Sequence, residues 1–284
     1  MRYAAIGMKR IVIVLAVLSL PLVASAGAPR ISLSPKKPGP GDILVVTVIG
    51  AAEVGPGTLG KRPLHFNAVG GTQKAVIGID LNMEPGKSPL SMAADGRKID
   101  RTVTIFKKKY PVQRLKLPED QVILSPENEA RVEREQKLLS SVWPVDSMRL
   151  WSGGFIDPLP GKEMTTPFGV RRIINGISKN PHSGIDLAAN SGEQVRAPND
   201  GVVVVAAEQF FSGNSVVLDH GQGIYTMFFH LSEMKVRPGQ AVMKGDIIGL
   251  TGATGRVTGP CLHWGARIQG AKVDPLQLLR LKLD

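Results

Sequence analysis

Two short segments of this 284-residue chain place histidine and aspartate at spacings that suit metal binding. His182 and Asp186 frame an H-x-x-x-D motif around Gly184, and in a strand these three residues face one way. The missing side chain at Gly184 is expected to leave room for an ion. His263, in the second segment, can add a neutral imidazole. Two histidines and a carboxylate leave one position open for water, which is typical of catalytic zinc. We therefore expect Zn²⁺ to be held by His182, Asp186 and His263.

Two further side chains belong with this group. His230 ends a predicted apolar strand, a position at a cleft rim from which a histidine can act as general base or stabilise the tetrahedral intermediate. Cys261 precedes His263 by two residues and would face the same way, whereas Leu262 and Trp264 would face the core. Beside zinc, a cysteine can ionise and bind the metal, and a fourth protein ligand would close the site.

Residues 1–26 are predicted to be a secretion signal. A basic start precedes an apolar run at 11–23, and small residues form an A-x-A cleavage pattern at 24–26. The run is short for a membrane span, so membrane contact is expected only through this segment. We expect an exported protein, periplasmic or extracellular, and assume a monomer. Its net charge of +11 draws it toward anionic envelope polymers, while the absence of interleaved aromatics argues against nucleic acid.

Composition and turn signals predict an all-β protein in two parts. Residues 27–120 carry short β-branched segments between glycine- and proline-rich turns, which favours an Ig-like β-sandwich. Residues 121–149 are predicted to be a helical linker, with Ser125 as N-cap. Residues 150–284 again show strands separated by tight turns and form the second domain. The charged helix within residues 121–149 is interpreted as a connector between the two domains.

The second domain resembles the LytM/lysostaphin-type zinc metalloendopeptidases, which have the duplicated hybrid motif fold. The resemblance covers about 110 residues. Its motifs are TPFGVR at 166–171, PHSGID at 181–186, VLDHG at 217–221, FHLS at 229–232, VRPG at 236–239, KGDIIG at 244–249 and TGRVTGP at 254–260, which leads into the last strand.

The resemblance implies an antiparallel β-sheet, or barrel-sandwich hybrid, that hydrolyses peptide cross-links of bacterial peptidoglycan. It implies that His182, Asp186 and His263 are the metal ligands and that His230 is one of two catalytic histidines. Peptidoglycan peptide stems would be the partner and Zn²⁺ the cofactor. The enzyme class implied is a zinc metallopeptidase of the cell wall.

Two positions depart from the family pattern. The family ends in H-x-H, and Cys261 stands at the first of these histidines, which is the second catalytic one. Phe228 stands where the family often has a tyrosine hydroxyl, so one polar contact to the reacting carbonyl is expected to be missing. Three outcomes are open for Cys261: it is tolerated, it binds the metal and silences the site, or it marks a protein without catalysis.

Two other readings compete with the enzyme. The alternative function is a non-catalytic peptidoglycan-binding module that activates other hydrolases, and Cys261 is the residue that favours it. A biotinyl or lipoyl carrier shares a related hairpin architecture, but Lys244 is followed at once by Gly245 and no carrier tip motif surrounds it. The three retained ligand positions favour the enzyme.

Overall fold

The computed structural model of the protein describes residues 28–116, 124–144 and 147–283. The predicted secretion signal at 1–26 and parts of the predicted linker lie outside these residues. No helix within the described ranges has both the length and the apolar character needed to cross a membrane. The described chain consists of two β-rich parts and a helix between them, which confirms the predicted all-β class.

The N-terminal part is a β-sandwich of two four-stranded sheets within the described residues. The first sheet has the order β1-β2-β6-β5 and the second the order β4-β3-β7-β8. Alternate residues of β2, such as Leu44, Val46 and Val48, are fully buried between the sheets, because successive side chains of a strand face opposite ways. The strands are β1 Arg30–Ser34, β2 Ile43–Ile49, β3 Val54–Leu59, β4 Arg62–Leu64, β5 Asn67–Val69, β6 Thr72–Gly78, β7 Gly86–Ala94 and β8 Arg97–Ile105.

The connecting segment contains strand β9 (Val112–Leu115) and helix α1 (Pro126–Val142). The Ser125 side chain accepts a hydrogen bond from the Asn128 amide and caps the helix, as predicted. Helix α1 also contacts the C-terminal part directly. The side chain of Glu135 accepts hydrogen bonds from the Phe210 backbone amide at 2.9 and 3.1 Å, so α1 is held against the C-terminal part.

The C-terminal part is built on an eight-stranded sheet in the order β10-β13-β21-β17-β16-β15-β19, with β22 beside β21. A smaller sheet, β14-β20-β18, accompanies it, and β12-β11-β9 form a third. The elements are β10 Met164–Thr166, β11 Arg171–Ile174, β12 Ile177–Ser178, β13 Gly184–Ala188, β14 Gln194–Arg196, β15 Gly201–Gln209, β16 Gly213–Asp219, β17 Ile224–Leu231, β18 Glu233–Met234, β19 Ala241–Val242, β20 Ile247–Leu250, β21 Cys261–Ile268, β22 Ala271–Val273 and a 3-10 helix Pro275–Arg280.

The sandwich has a core cluster of its own, and a few of its other buried residues belong to the core of the C-terminal part. Ile43 and Val76 of the sandwich belong to the same buried cluster as Ile268 and Val273 of the C-terminal sheet. Strand β9 also pairs in parallel with β11. At the contact, Gln277 accepts a hydrogen bond from the Ile43 amide at 2.8 Å. The sandwich is therefore packed as part of the C-terminal structure, and the predicted domain boundaries remain a prediction.

His220 fixes the turn between β16 and β17 from inside the core. It is completely buried, its Nδ1 lies 2.8 Å from the Asp200 carbonyl oxygen, and its Nε2 lies 2.7 Å from the Thr226 hydroxyl. A neutral ring donates to the carbonyl and accepts from the hydroxyl, so both nitrogens are satisfied without a charge. Burial lowers the pKa of His220 to about 4. His220 is therefore a structural residue of this turn.

Acid should destabilise the protein through His220. The unfolded chain takes up a proton near pH 6.5, whereas the folded chain takes it up near pH 4, so the unfolded state binds more protons between these values. The free energy of unfolding should fall by about 3 kcal/mol as the pH drops through this window. Urea denaturation of the wild type and His220→Gln at several pH values measures the effect. Parallel pH profiles for the two proteins would contradict it.

Candidate metal centre

Three side chains converge beside the paired strands β13 and β21 of the main sheet. His182 Nε2 lies 3.0 Å from Asp186 Oδ1 and 3.0 Å from His263 Nδ1, and the last two atoms are 2.8 Å apart. Among the described residues, these three side chains form the group whose ligand atoms lie close enough together to hold a metal ion. The structure thus brings together the three residues predicted to hold the metal, while their role as ligands remains a prediction.

The pairing of β13 with β21 places two of these side chains. Asp186 lies directly opposite His263 in the antiparallel register, and side chains at such positions are close enough to interact. Ile185 and Leu262, the neighbours that face the other way, are buried in the core as predicted. The strong burial of the alternate residues fixes this register, because a slip of one residue would turn the polar set into the core.

His182 is placed differently from the prediction. Strand β13 begins at Gly184, so His182 lies in the preceding segment and not on the strand. Its backbone amide donates to the Val170 carbonyl oxygen, and its own carbonyl oxygen accepts from the Gly169 amide. Two backbone hydrogen bonds therefore position His182, and the expectation that one strand carries the whole H-x-x-x-D motif was wrong.

Gly184 also has a different role from the one expected. A Cβ atom at this position would lie 2.5 Å from the Trp264 carbonyl oxygen and 2.6 Å from His263 Nε2. The space over Gly184 is thus occupied by the imidazole of His263. The glycine lets the two strands approach closely enough for that ring to face Asp186.

Gly184→Ala should destabilise the protein by about 1–3 kcal/mol and weaken zinc binding, because the new methyl group must displace the His263 ring. Thermal denaturation and a zinc titration with a competing chelator measure both effects, and we expect about 10–100-fold weaker binding. Gly259→Ala is the matched control, since a Cβ atom there meets no other atom within 4 Å. Equal zinc affinity in the two variants would contradict this account.

The chemistry of the three side chains suits a divalent cation. His182 Nδ1 lies 3.0 Å from the Pro167 carbonyl oxygen, so a neutral His182 donates there and presents the Nε2 lone pair to the group. Burial lowers the pKa of His263, which keeps that ring neutral. Burial acts to raise the pKa of Asp186, but hydrogen bonds with both histidines outweigh it and hold the pKa well below its ordinary value. Two neutral imidazoles and one carboxylate fit zinc.

His230 is turned into the same cleft by a β-bulge. The prediction placed it at the end of its strand, but β17 continues to Leu231. Between the pairs Val216–Phe228 and Asn214–Leu231, two residues of β17 oppose one residue of β16, and His230 has a φ of +65°. Bulges of this kind re-aim side chains near active sites.

The neighbours of His230 define its tautomer. Its Nδ1 lies 2.9 Å from the Thr254 carbonyl oxygen, so the neutral ring donates there and its Nε2 can accept a proton. Its ring centroid is 6.3 Å from that of His263. Burial lowers the pKa of His230, so the ring is neutral at neutral pH. A neutral, oriented imidazole beside the metal group has the properties of a general base.

Cys261 is the first residue of β21 and lies opposite Ala188. Its thiol is not one of the converging ligand atoms. Burial, followed by the negative charge of Asp186, raises the pKa of Cys261 to about 11, so the side chain is a neutral thiol. Phe228 is fully buried in the core and does not face the cleft. The expectation that residue 228 leaves a polar contact missing at the reacting group therefore does not follow from this structure.

The metal group lies in an open groove with a volume of about 870 Å³. Helix α1 forms part of its wall through Val132 and Glu135, although sequence reasoning treated the helix as a connector. Arg172 and Arg256 also line the groove and were not predicted. Arg172 follows the TPFGVR motif directly, and this proximity was the signal that could have identified it.

Comparison with known proteins agrees with this arrangement. Residues 180–275 match the model of peptidase family M23. The chain is 43% identical over 137 residues to the peptidoglycan DD-endopeptidase ShyA of Vibrio cholerae and 41% identical over 127 residues to the DD-carboxypeptidase/endopeptidase Mpg of Neisseria meningitidis, which is 48% and 44% of this chain. The match spans 29% of the length of each of these relatives.

A solved structure extends the comparison to nearly the whole chain. The crystal structure of a Pseudomonas aeruginosa protein assigned to peptidase M23 superposes with a TM-score of 0.69 at 30% sequence identity. The superposition covers 86% of this chain and 95% of the other, so it extends over both β parts. The chain therefore belongs to peptidase family M23.

Proposed function

We propose that the protein is a zinc-dependent metalloendopeptidase that hydrolyses the peptide cross-links of bacterial peptidoglycan. The observation that carries the proposal is the convergence of His182, Asp186 and His263 in an open groove with a neutral histidine beside them. The names of its relatives, which are endopeptidases of peptidoglycan, support the choice of substrate. We also propose that the protein is exported by means of the signal predicted at 1–26.

Zinc would be held by His182 Nε2, Asp186 Oδ1 and His263 Nδ1. When bound, zinc supplies Lewis-acid chemistry, which polarises a peptide carbonyl and makes water more acidic. Burial lowers the pKa of His263, and hydrogen bonds hold the pKa of Asp186 well below its ordinary value, so this ring would be neutral and this carboxylate ionised when the cation binds. The hydrogen bond of His182 to the Pro167 carbonyl holds the ring in its orientation before any cation arrives.

His230 would move the proton during hydrolysis. With Nδ1–H donated to the Thr254 carbonyl, Nε2 can accept the proton of an attacking water and pass it to the leaving amine. The lowered pKa makes His230 neutral at the start of the reaction, as a base must be. Cys261, whose pKa is raised to about 11 by burial and then by the charge of Asp186, would contribute a weak hydrogen-bond donor.

A non-catalytic wall-binding module is the second candidate, and Cys261 is the observation that favours it. The family resemblance implies a second catalytic histidine at this position, and a neutral thiol does not perform acid–base catalysis near pH 7. The enzyme is nevertheless preferred, because the ligand group and His230 are assembled and the loss of one polar group at a reaction centre lowers a rate by about 10²–10³-fold without abolishing it.

One experiment separates the two candidates. Purified protein is analysed for zinc and then incubated with peptidoglycan sacculi, with and without a chelator, and the released muropeptides are identified by mass spectrometry. The enzyme should contain one zinc per chain and release uncross-linked peptides, and the chelator should stop this release. Sacculi that are bound but never cleaved by zinc-loaded protein would favour the non-catalytic module.

A further inference from the structure

Helix α1 reaches the 210–212 turn, which joins β15 to β16. Both carboxylate oxygens of Glu135 accept a hydrogen bond from the Phe210 amide, at 2.9 and 3.1 Å. Arg131, one turn earlier on the helix, donates from its Nε to Glu135 Oε1 at 2.8 Å and keeps the carboxylate in place. The Glu135 side chain is mostly buried, and a hydrogen bond to a charged acceptor is stronger than one between neutral groups. The helix therefore fixes the first residue of this turn.

The same turn supports His230. The Ser212 carbonyl oxygen accepts a hydrogen bond from the His230 amide at 2.8 Å. The Phe211 carbonyl oxygen accepts one from the Arg256 amide at 2.9 Å, and this attaches the segment that contains Thr254. The Thr254 carbonyl oxygen in turn orients the His230 ring, since it lies 2.9 Å from Nδ1. The backbone of His230 and the group that orients its ring are thus both attached to the turn that α1 holds.

Close backbone packing connects the turn to the segment that orients the ring. A Cβ atom at Gly213 would lie 2.3 Å from Thr254 Oγ1, and one at Gly255 would lie 2.7 Å from the Phe211 carbonyl oxygen. Such tight packing passes a displacement of one segment on to its neighbour. His230 itself has a φ of +65°, a conformation that a residue other than glycine keeps only where the surrounding structure imposes it. The orientation of His230 therefore depends on the position of the turn.

We propose that Glu135 is a positioning residue for the reaction, because it fixes the 210–212 turn and through it the orientation of His230. The inference rests on the proposed function, in which His230 moves the proton. Glu135 acts through the Phe210 amide and not on the reacting atoms. Helix α1, predicted to be a connector, thus contributes to proton transfer in the C-terminal part.

Amide hydrogen exchange, resolved by residue with NMR, tests the structural step without zinc or turnover. In full-length Glu135→Ala, the amides of His230 and Arg256 should exchange at least about tenfold faster than in the wild type, because opening of the turn no longer breaks the hydrogen bond to the carboxylate. Glu135→Gln keeps an oxygen that can accept from the Phe210 amide and should stay within about threefold of the wild type. Glu133→Ala is the matched control, since Glu133 is an exposed glutamate of the same helix, and it should change neither rate.

Steady-state kinetics of the zinc-loaded proteins on cross-linked muropeptides test the catalytic step. Glu135→Ala should lower kcat by about 10–100-fold, since a small misplacement of a proton-transfer group has an effect of this size. KM should stay within about threefold and zinc content at one per chain, because the turn supplies none of the proposed ligands. Glu135→Gln should recover most of the lost kcat, and Glu133→Ala should match the wild type.

Unchanged exchange at the His230 amide, or an unchanged kcat, in a folded Glu135→Ala protein would overturn the inference. Should this variant fail to fold, Glu135→Asp replaces it in both measurements, because aspartate keeps the charge but is one methylene too short to hold the turn in the same place. A wild type that holds zinc and never cleaves would refute the proposed function. The exchange rates would still decide whether Glu135 holds His230.

Discussion

Replacing Asp186 with asparagine should remove the bound zinc and lower kcat/KM on cross-linked muropeptides by at least about 10³-fold. The carboxylate is the one negative charge in the ligand group, and it contacts both histidine nitrogens at 2.8 and 3.0 Å. An amide oxygen in its place carries no charge to offset that of the cation. Zinc content by elemental analysis and muropeptide release by mass spectrometry measure the two effects.

Asp100→Asn is the control for this change. Asp100 lies on β8 of the sandwich and pairs at the surface with Lys98, so its replacement should leave zinc content and activity as they are. The Asp186→Asn protein should keep its fold, since asparagine is nearly the same size. An Asp186→Asn protein with a full complement of zinc and undiminished hydrolysis would show that the metal is not held as proposed.

Replacing Cys261 with histidine should raise the rate of hydrolysis by about 10²-fold. The thiol is neutral and a weak hydrogen-bond donor, whereas an imidazole with a pKa near 6.5 both accepts and donates protons near pH 7. Residue 261 lines the groove and is half-buried, so a ring there would lie at the groove. Initial rates on cross-linked muropeptides measure the change.

Cys261→Ser is the matched control for the histidine variant, because it keeps the size of the side chain without adding an acid–base group. Its rate should stay within about threefold of the wild type, in line with the small effects of substitutions that remove no strong interaction. A histidine variant that is folded, holds one zinc and is no faster than the wild type would show that the cysteine does not limit the reaction.

The sequence was sufficient for the parts of the site that depend on local alternation. Ile185 and Leu262 face the core, and Asp186 and His263 face the cleft, because side chains in a strand alternate whatever the partner strand is. The N-cap at Ser125 could also be predicted from the sequence, since it depends only on residues within one helical turn.

Features that depend on a facing strand could not be read in this way. The bulge at His230 arises because two residues of β17 lie opposite one residue of β16. The alternation of side chains along β17 carries no information about the number of residues on β16. Gly184 was expected to make room for an ion, but the ring that occupies its space comes from a strand about eighty residues later. The convergence of Arg172 and Arg256 has the same origin, since only the folded chain brings their segments to one groove.

The continuous packing of Ile43 and Val76 against Ile268 and Val273 has a consequence for how this molecule can be taken apart. A cut between the sandwich and the sheet would open apolar surface on both fragments and would remove the edge partner of β11. Heat should therefore melt both halves in a single cooperative step. The catalytic half of this chain should therefore not be stable when it is moved into another protein by itself. Any exchange with a shorter homologue would require polar residues in place of the apolar ones at this contact.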